Sequence, residues 1–164
     1  MKQMNSHTIG VLNGSNINML GIREPEIYGE DTLEHIMQNL KEAGKKLNIE
    51  LRFFQSNHEG AMVDFIQQNV NDLDAVILNP AAFTINGYAL LDTLVTLKIP
   101  YVEVHLSNIM ARREWHSKTI FAQSAIGHIN GFKGYVYYLG LLALKEYFDI
   151  ESSKNNIVKT NTSI

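Results

Sequence analysis

Short apolar runs alternate along the chain with longer segments in which apolar residues recur every three or four positions. The apolar runs predict five β-strands, and the periodic segments predict about five α-helices. Alternation of the two with short connections is typical of an α/β fold, in which a parallel sheet carries helices on both faces. The predicted strands cover residues 8–12, 50–55, 75–78, 100–105 and 124–129.

The helices are placed by the spacing of their apolar residues and by their end signals. Asp31 and Glu34 are spaced as a capping box, which predicts where the first helix begins. The other helices are predicted over residues 60–70, 88–97 and 135–148. Residues 1–150 are therefore expected to form one domain. The polar segment 151–164, rich in Ser, Asn, Lys and Thr, is expected to be a disordered tail.

The composition and net charge of the chain indicate which kind of molecule it binds. The chain has 164 residues, of which 45% are hydrophobic and 19% charged, so it can bury a sizeable core. A net charge of -3 offers no electrostatic attraction for nucleic acid or an anionic membrane, and a small-molecule partner is expected instead. The absence of cysteine excludes thiolate chemistry. Neither a signal peptide nor a membrane-length apolar run is present, so we predict a cytoplasmic protein.

Groups that can move protons lie at the carboxyl end of the fourth predicted strand. Glu103 and His105 lie two positions apart, so both side chains point to the same side of the sheet. A carboxylate beside an imidazole fixes the tautomer of the ring and raises its basicity. Ser107 and Asn108 come next. Because open parallel sheets bind ligands at the carboxyl ends of their strands, we predict a functional site at this edge.

Two more loops reach the same predicted edge. Residues 13–18 follow the first strand with the sequence Asn-Gly-Ser-Asn-Ile-Asn, and Asn79 follows the third strand. The segment 19–30 contains glycine and proline and has no helical period, which predicts a loop. This loop is long enough to act as a lid. It carries Arg23 and Tyr28.

Four blocks of sequence carry a resemblance to a known family. They are residues 13–29, residues 55–60 with the sequence Gln-Ser-Asn-His-Glu-Gly, Asn-Pro at 79–80, and Val-Glu-Val-His-Leu-Ser-Asn at 102–108. Their order and spacing resemble those of the type II 3-dehydroquinate dehydratases from about residue 8 to residue 148. The resemblance implies a flavodoxin-like fold with a five-stranded parallel sheet, no cofactor, no metal, and trimers that assemble into a dodecamer.

The family reaction removes water from a cyclic β-hydroxy ketone that bears a carboxylate. The resemblance implies that Tyr28, as the phenolate, takes the proton from the carbon beside the ketone. Arg23 and Arg112 would then supply the positive field that stabilises the phenolate. Arg112 is also expected to contact the substrate.

The remaining roles follow from the same resemblance. Asn16 would stabilise the enolate oxygen, and His105, oriented by Glu103, would protonate the departing hydroxyl. Asp92 would reach the site of a neighbouring subunit in the trimer. The groups expected to hold the substrate carboxylate are the side chains of Asn79 and Ser107 and the backbone N–H groups near Leu106 and Ser107.

The chain departs from the family pattern at several positions. Ile85 stands where the family has a substrate-binding histidine, and His116 stands where it has an arginine that holds the ring hydroxyls. An unpaired hydroxyl in an enclosed site costs about 1–3 kcal/mol. Ser15 replaces a proline, Ala81 replaces a glycine, and Lys133 interrupts a glycine pattern. These departures affect recognition of the ring, while the groups for proton abstraction are intact.

Other side chains have simpler interpretations. His58 and Glu59 look like the start of a zinc motif, but Met62 occupies the position of its second histidine, so a structural role is predicted. Helix packing and subunit contacts are predicted for Tyr135, Tyr137 and Tyr138.

The predicted activity is therefore 3-dehydroquinate dehydratase, in the shikimate or quinate routes. One alternative is a diverged paralogue that dehydrates a related cyclic hydroxy-ketone acid. Another is a non-catalytic flavodoxin-like binding module, against which the set of Tyr28, Arg23 and His105 argues.

Overall fold

Five parallel strands form the centre of the molecule. The computed structural model describes residues 6–22, 31–111 and 117–161, with side chains described as far as residue 154. The strands form one sheet in the spatial order β2-β1-β3-β4-β5, and every neighbouring pair is parallel. They are β1 (His7–Ser15), β2 (Ile49–Gln55), β3 (Ala75–Ala81), β4 (Tyr101–His105) and β5 (Gly127–Asn130). The predicted flavodoxin-like α/β class is confirmed.

Helices connect the strands and cover both faces of the sheet. In the described ranges the α-helices are α1 (Leu33–Lys46), α2 (Glu59–Gln68), α3 (Tyr88–Thr96) and α4 (Tyr135–Asn161). Short 3-10 turns occur at Ile17–Met19, Ala82–Ile85 and Ile109–Ala111. None of the helices in these ranges has the length and apolarity needed to cross a membrane.

Two separate hydrophobic clusters flank the sheet because successive strand residues point to opposite faces. In β3, Ile77 packs in the cluster beneath α1 and α4, while Val76 and Leu78 pack in the cluster beneath α2 and α3. All three are completely buried. Burial on both faces explains why this strand is a continuous apolar run rather than an alternating one. The sheet is therefore a rigid platform for the loops at its carboxyl edge.

The start of α1 differs from the predicted capping box. Thr32 is the N-cap residue, and its hydroxyl accepts a hydrogen bond from the His35 N–H at 3.2 Å. Asp31 instead pairs with the His35 ring, with 2.7 Å between Oδ1 and Nδ1. The predicted capping box of Asp31 and Glu34 is therefore wrong, and the N-cap lies one residue later, at Thr32. A threonine hydroxyl is also an effective cap.

The last helix also differs from its prediction. It was expected to end at Phe148, and the segment after it was expected to be disordered, but α4 continues to Asn161. Local interactions one turn apart extend the helix: Lys145 pairs with Asp149, and the Ser153 hydroxyl donates to the Asp149 carbonyl oxygen. Pairs at this spacing stabilise a helix without any contact to the core.

The carboxyl ends of β1 and β3 lie side by side, with Asn13 opposite Asn79. From β1 the chain turns to β2 on one side and later returns through α2 to β3 on the other. The connections after β1 and β3 therefore diverge, which creates the crevice where open α/β sheets bind ligands. The neighbouring β4 brings Glu103 and His105 to the same edge.

Candidate active site

A buried carboxylate–imidazole pair lies at the carboxyl end of β4. His105 Nε2 is 2.7 Å from Glu103 Oε1, and the pair is almost completely enclosed, with Glu103 0% and His105 6% exposed. Both side chains point to the same side of the strand, as the spacing predicted. The carboxylate fixes one ring nitrogen of His105 and leaves Nδ1 for another partner.

Thr119 is a second partner of the same carboxylate oxygen. Its hydroxyl donates to Glu103 Oε1 at 2.6 Å and accepts a hydrogen bond from the Phe121 N–H at 3.1 Å. The backbone donor occupies the hydroxyl oxygen, so the hydroxyl proton is directed to the carboxylate. Nothing in the sequence pattern pointed to Thr119, which comes from a loop between β4 and β5.

A buried amide–phenol–amide chain connects α4 to the central strands. The Tyr137 hydroxyl donates to Asn13 Oδ1 and accepts a hydrogen bond from Asn79 Nδ2 at 2.8 Å. All three side chains are 1% exposed or less. Burial raises the pKa of the Tyr137 phenol, an effect that the Asn79 hydrogen bond partly offsets. The helix packing predicted for Tyr137 is confirmed, while the predicted subunit contact is wrong for this residue because its side chain lies in the core of the subunit.

The same chain limits what Asn79 can offer a ligand. Besides its bond to Tyr137, the Asn79 side chain accepts a hydrogen bond from the Ala81 N–H at 3.3 Å. The side chain therefore orders the end of β3, and its second amide hydrogen is not used in either bond. Its predicted contact with the substrate carboxylate stays a prediction.

The first loop is held by the block at residues 55–60. The Asn16 N–H donates to Asn57 Oδ1 at 2.9 Å, and Gln55 Nε2 donates to the Gly14 carbonyl oxygen at 3.2 Å. Asn16 adopts a left-handed conformation with φ 66°, which asparagine tolerates well. Its side chain is exposed at the edge of the sheet. These two bonds thus fix the backbone of the loop around Asn16.

Glu59 has the structural role that the sequence predicted. Its Oε1 accepts a hydrogen bond from the Leu90 N–H at 2.9 Å, which satisfies a free donor in the first turn of α3. The His58 N–H donates to the Ser56 hydroxyl at 2.9 Å and so orders the turn before α2.

Ala81 adopts a backbone conformation that normally requires glycine. Its φ is 52° and its ψ is -123°, where a side chain costs about 1–3 kcal/mol. Nearby, a Cβ on Gly14 would lie 2.2 Å from the Pro80 carbonyl oxygen, so only glycine allows the first loop to approach β3. Lys133 likewise has a positive φ of 49°. Ala81 and Lys133, two of the departures from the family pattern, therefore have positive φ angles, which favour glycine.

His128 is a neighbour of the pair that the sequence did not reveal. It lies opposite Glu103 in the register between β4 and β5, and its ring is edge-on to His105 at a centroid distance of 5.3 Å. Burial lowers the pKa of His128, the Glu103 carboxylate raises it, and His105 lowers it. The predicted fifth strand contained His128, but an apolar pattern does not reveal strand register.

A family model with the description "Dehydroquinase class II" matches residues 7–145. The chain belongs to the class II dehydroquinase family. The 3-dehydroquinate dehydratase of Clostridium acetobutylicum is 46% identical over 135 residues, which cover 82% of this chain and 94% of that protein. The 3-dehydroquinate dehydratase of Endomicrobium trichonymphae is 49% identical over 131 residues, covering 79% and 92% respectively. The crystal structure of type II dehydroquinase from Propionibacterium acnes has a TM-score of 0.81 at 38% identity, and the match covers 86% of this chain and 97% of that one.

The structure locates part of the residue set expected for a dehydroquinase. Leu106 is buried, and its carbonyl oxygen accepts a hydrogen bond from the Lys133 N–H at 2.8 Å. Ser107 is half-buried beside it, and Asp92 is exposed on α3. Ile85 ends the turn after β3 with 39% of its side chain exposed. Four expected residues lie outside the described ranges, so their roles stay predictions: Arg23, Tyr28, Arg112 and His116.

Proposed function

We propose that this dehydroquinase eliminates water from 3-dehydroquinate to give 3-dehydroshikimate through an enolate intermediate. It is then a 3-dehydroquinate dehydratase, a hydro-lyase of the shikimate pathway. The single observation that carries the proposal is the buried Glu103–His105 pair at the carboxyl edge of the sheet, in a chain of this family. Such a pair supplies an acid for a departing hydroxyl without a metal-bound water.

His105 acts as the general acid. With Nε2 bound to Glu103, its Nδ1–H is the proton available to the substrate. The carboxylate, held in place by Thr119, stabilises the imidazolium before the transfer. As the enolate collapses, its electron pair expels the hydroxyl, which leaves as water with the proton from His105. The enclosure of the pair strengthens these interactions because water is excluded.

Tyr28 acts as the base in this proposal. Its phenolate takes the proton from the carbon beside the ketone, and Arg23 and Arg112 stabilise the phenolate charge. Asn16 stabilises the enolate oxygen, directly or through a bound water. The exposed position of the Asn16 side chain at the carboxyl edge of β1 supports that role.

Substrate binding completes the proposal. The carboxylate of the substrate is bound by Asn79, Ser107 and the backbone N–H groups at Leu106 and Ser107.

The protein assembles as trimers, and further as a dodecamer, with Asp92 of one subunit reaching its neighbour's site. The exposure of Asp92 on α3 supports this contact. Involvement in quinate breakdown and a cytoplasmic location stay predictions.

One observation favours a second candidate substrate. Ile85 is apolar and partly exposed at the site edge, where a hydrogen-bond donor to a ring hydroxyl was expected. A cyclic hydroxy-ketone acid that lacks this hydroxyl would avoid the cost of about 1–3 kcal/mol for an unpaired group.

The test is direct incubation with 3-dehydroquinate, following the ultraviolet absorbance of the conjugated enone in the product. We expect turnover in the wild type, and a loss of about 10²-fold or more in kcat for His105→Asn and Tyr28→Phe. His35→Asn is the control, because the His35 side chain is exposed on α1 and, within the described ranges, its ring pairs with Asp31. Failure to form the enone, together with turnover of an analogue lacking one ring hydroxyl, would establish the second candidate.

A further inference from the structure

Three side chains that commonly bind metal ions converge between β4 and β5. They are Glu103, His105 and His128, and one ligand atom from each lies within 4.8 Å of the other two. The strand register brings them together, because Glu103 is opposite His128 and His105 lies two residues along β4 from Glu103. The cluster therefore lies on regular strands rather than on loops.

Two atoms of this cluster are buried without a hydrogen-bond partner in the part of the chain that the structure describes. They are Glu103 Oε2 and His128 Nε2. Glu103 is completely buried, so its second oxygen is not exposed to bulk water. A buried carboxylate oxygen without a partner is unfavourable, since folding removes it from water with no compensating bond. Both atoms can offer a lone pair to a cation.

We propose that Glu103, His105 and His128 form a binding site for a divalent transition-metal ion of the Zn²⁺ class, which inhibits the enzyme. Two imidazoles and one carboxylate form a ligand set that suits Zn²⁺, whereas Mg²⁺ and Ca²⁺ prefer oxygen ligands alone. A fourth ligand is then a water molecule. The ion neutralises the otherwise unpaired Glu103 oxygen and uses the unpaired His128 nitrogen.

The required movement is small. Zn–N and Zn–O bonds of about 2.0–2.2 Å place tetrahedral ligand atoms about 3.3–3.6 Å apart. The 2.7 Å contact between His105 Nε2 and Glu103 Oε1 must therefore open slightly, and the wider separations of up to 4.8 Å must close. His128 can supply most of this movement, because its side chain is only half-buried on β5, at the end of the sheet.

Inhibition follows because the metal ion takes the place of a proton on Nε2 of His105. This argument rests on the proposed role of His105 as the acid. With a metal ion on Nε2, the ring keeps a single proton on Nδ1 and cannot become an imidazolium. A neutral imidazole is a far weaker acid than an imidazolium, so the departing hydroxyl is no longer protonated. Because the groups proposed to bind the substrate carboxylate lie outside this cluster, kcat falls and KM changes little.

The site is tested by calorimetric titration of Zn²⁺ into full-length, chelator-treated protein. We expect one tight site per subunit in the wild type, and an affinity at least about tenfold weaker in both His128→Leu and Glu103→Gln. His35→Asn is the matched control, because an exposed histidine beside Asp31 is where adventitious Zn²⁺ would bind. A tight site that survives His128→Leu, or no tight site in the wild type, would overturn the proposal. X-ray anomalous scattering at the zinc edge that places the ion elsewhere would do the same.

A second measurement separates this inference from the proposed function. At Zn²⁺ concentrations that saturate the site, we expect wild-type kcat to fall at least tenfold and a chelator to restore it. The residual turnover of His128→Leu should be unaffected by the same Zn²⁺ concentration. Full activity of the zinc-saturated wild type would refute inhibition. A metal-free enzyme without dehydratase activity would instead refute the proposed function, and the calorimetric result would be unaffected.

Discussion

At the residue scale, the proposed acid, His105, is bonded to a carboxylate that also accepts a hydrogen bond from one hydroxyl group. Thr119 is the second donor to Glu103 Oε1, besides His105. We expect Thr119→Val, which keeps the shape of the side chain, to lower kcat about tenfold, because a hydrogen bond to a charged group contributes roughly 1.5–3 kcal/mol. KM should stay within about twofold, since the change removes no substrate contact.

Thr119→Ser is the matched control, because serine keeps the hydroxyl that donates to Glu103. Steady-state kinetics of the two variants measure the effect, and circular dichroism establishes that both are folded. Normal kcat in Thr119→Val together with a loss of kcat in Thr119→Ser would mean that the methyl group, not the hydroxyl, matters.

Ala81 gives a second prediction at this scale, about stability. Because its φ is 52°, Ala81→Gly should raise the free energy of unfolding by about 1 kcal/mol or more. Ala82→Gly is the control: Ala82 lies in the adjacent 3-10 turn and is not among the residues with positive φ, so glycine there should be neutral or destabilising. Denaturant unfolding measures both. Destabilisation by Ala81→Gly would show that the Ala81 side chain makes contacts that outweigh the strain.

At the scale of elements, α4 is joined to β1 and β3 through the Tyr137 hydroxyl. Tyr137→Phe leaves two buried amides without this partner and should cost about 2–4 kcal/mol of unfolding free energy. Tyr135→Phe is the control, because Tyr135 is 56% exposed near the start of the same helix, and its loss should be below about 0.5 kcal/mol.

The same tyrosine predicts a dependence on alkaline pH. The pKa of Tyr137 is raised in the folded state, so its contribution to stability is complete below the unfolded value of about 10. Above that value the unfolded chain releases the phenolic proton while the folded chain retains it, so stability falls as pH rises. Between pH 9 and 11, unfolding free energy should fall less steeply in Tyr137→Phe than in the wild type. Parallel slopes would contradict the assignment.

Sequence patterns predicted the elements better than the contacts between them. The apolar run of β3 and the apolar periodicity of α2 and α3 report burial directly, and these three elements were placed to within a few residues. The partnership of Glu103 with His128 depends on strand register, which apolar residues on neighbouring strands do not specify. The Thr119 contact depends on a loop conformation, and the Tyr137 contacts join residues far apart in the chain. The pair of Glu103 and His105 was predictable because its spacing is local to one strand.

At the scale of the whole molecule, α3 exposes apolar residues that an oligomer would cover. Tyr88 is 64% exposed and Val95 is 51% exposed in the single subunit. If Asp92 completes a neighbouring site, Asp92→Ala and His105→Asn should each be inactive alone, yet regain activity when refolded together. In mixed trimers each site draws on two chains, so about a quarter of the sites would be intact.

The control is the mixture of His105→Asn with Glu103→Gln. Both changes lie on β4 of one chain, so no combination of subunits restores an intact pair. Turnover per site and light scattering are measured on the same samples. A fully active monomer, or equal recovery in both mixtures, would contradict a site shared between subunits.

The position of β5 has a consequence for how the protein responds to partial unfolding. This strand has four residues and lies at the end of the described sheet, paired with β4. A short edge strand opens at a lower free energy than the central strands, so its amide hydrogens exchange with solvent while β1 and β3 stay protected. Each opening moves His128 away from Glu103 and admits water to the Glu103 carboxylate, which is otherwise completely buried. Mild denaturant would therefore hydrate the Glu103 carboxylate well before the molecule unfolds.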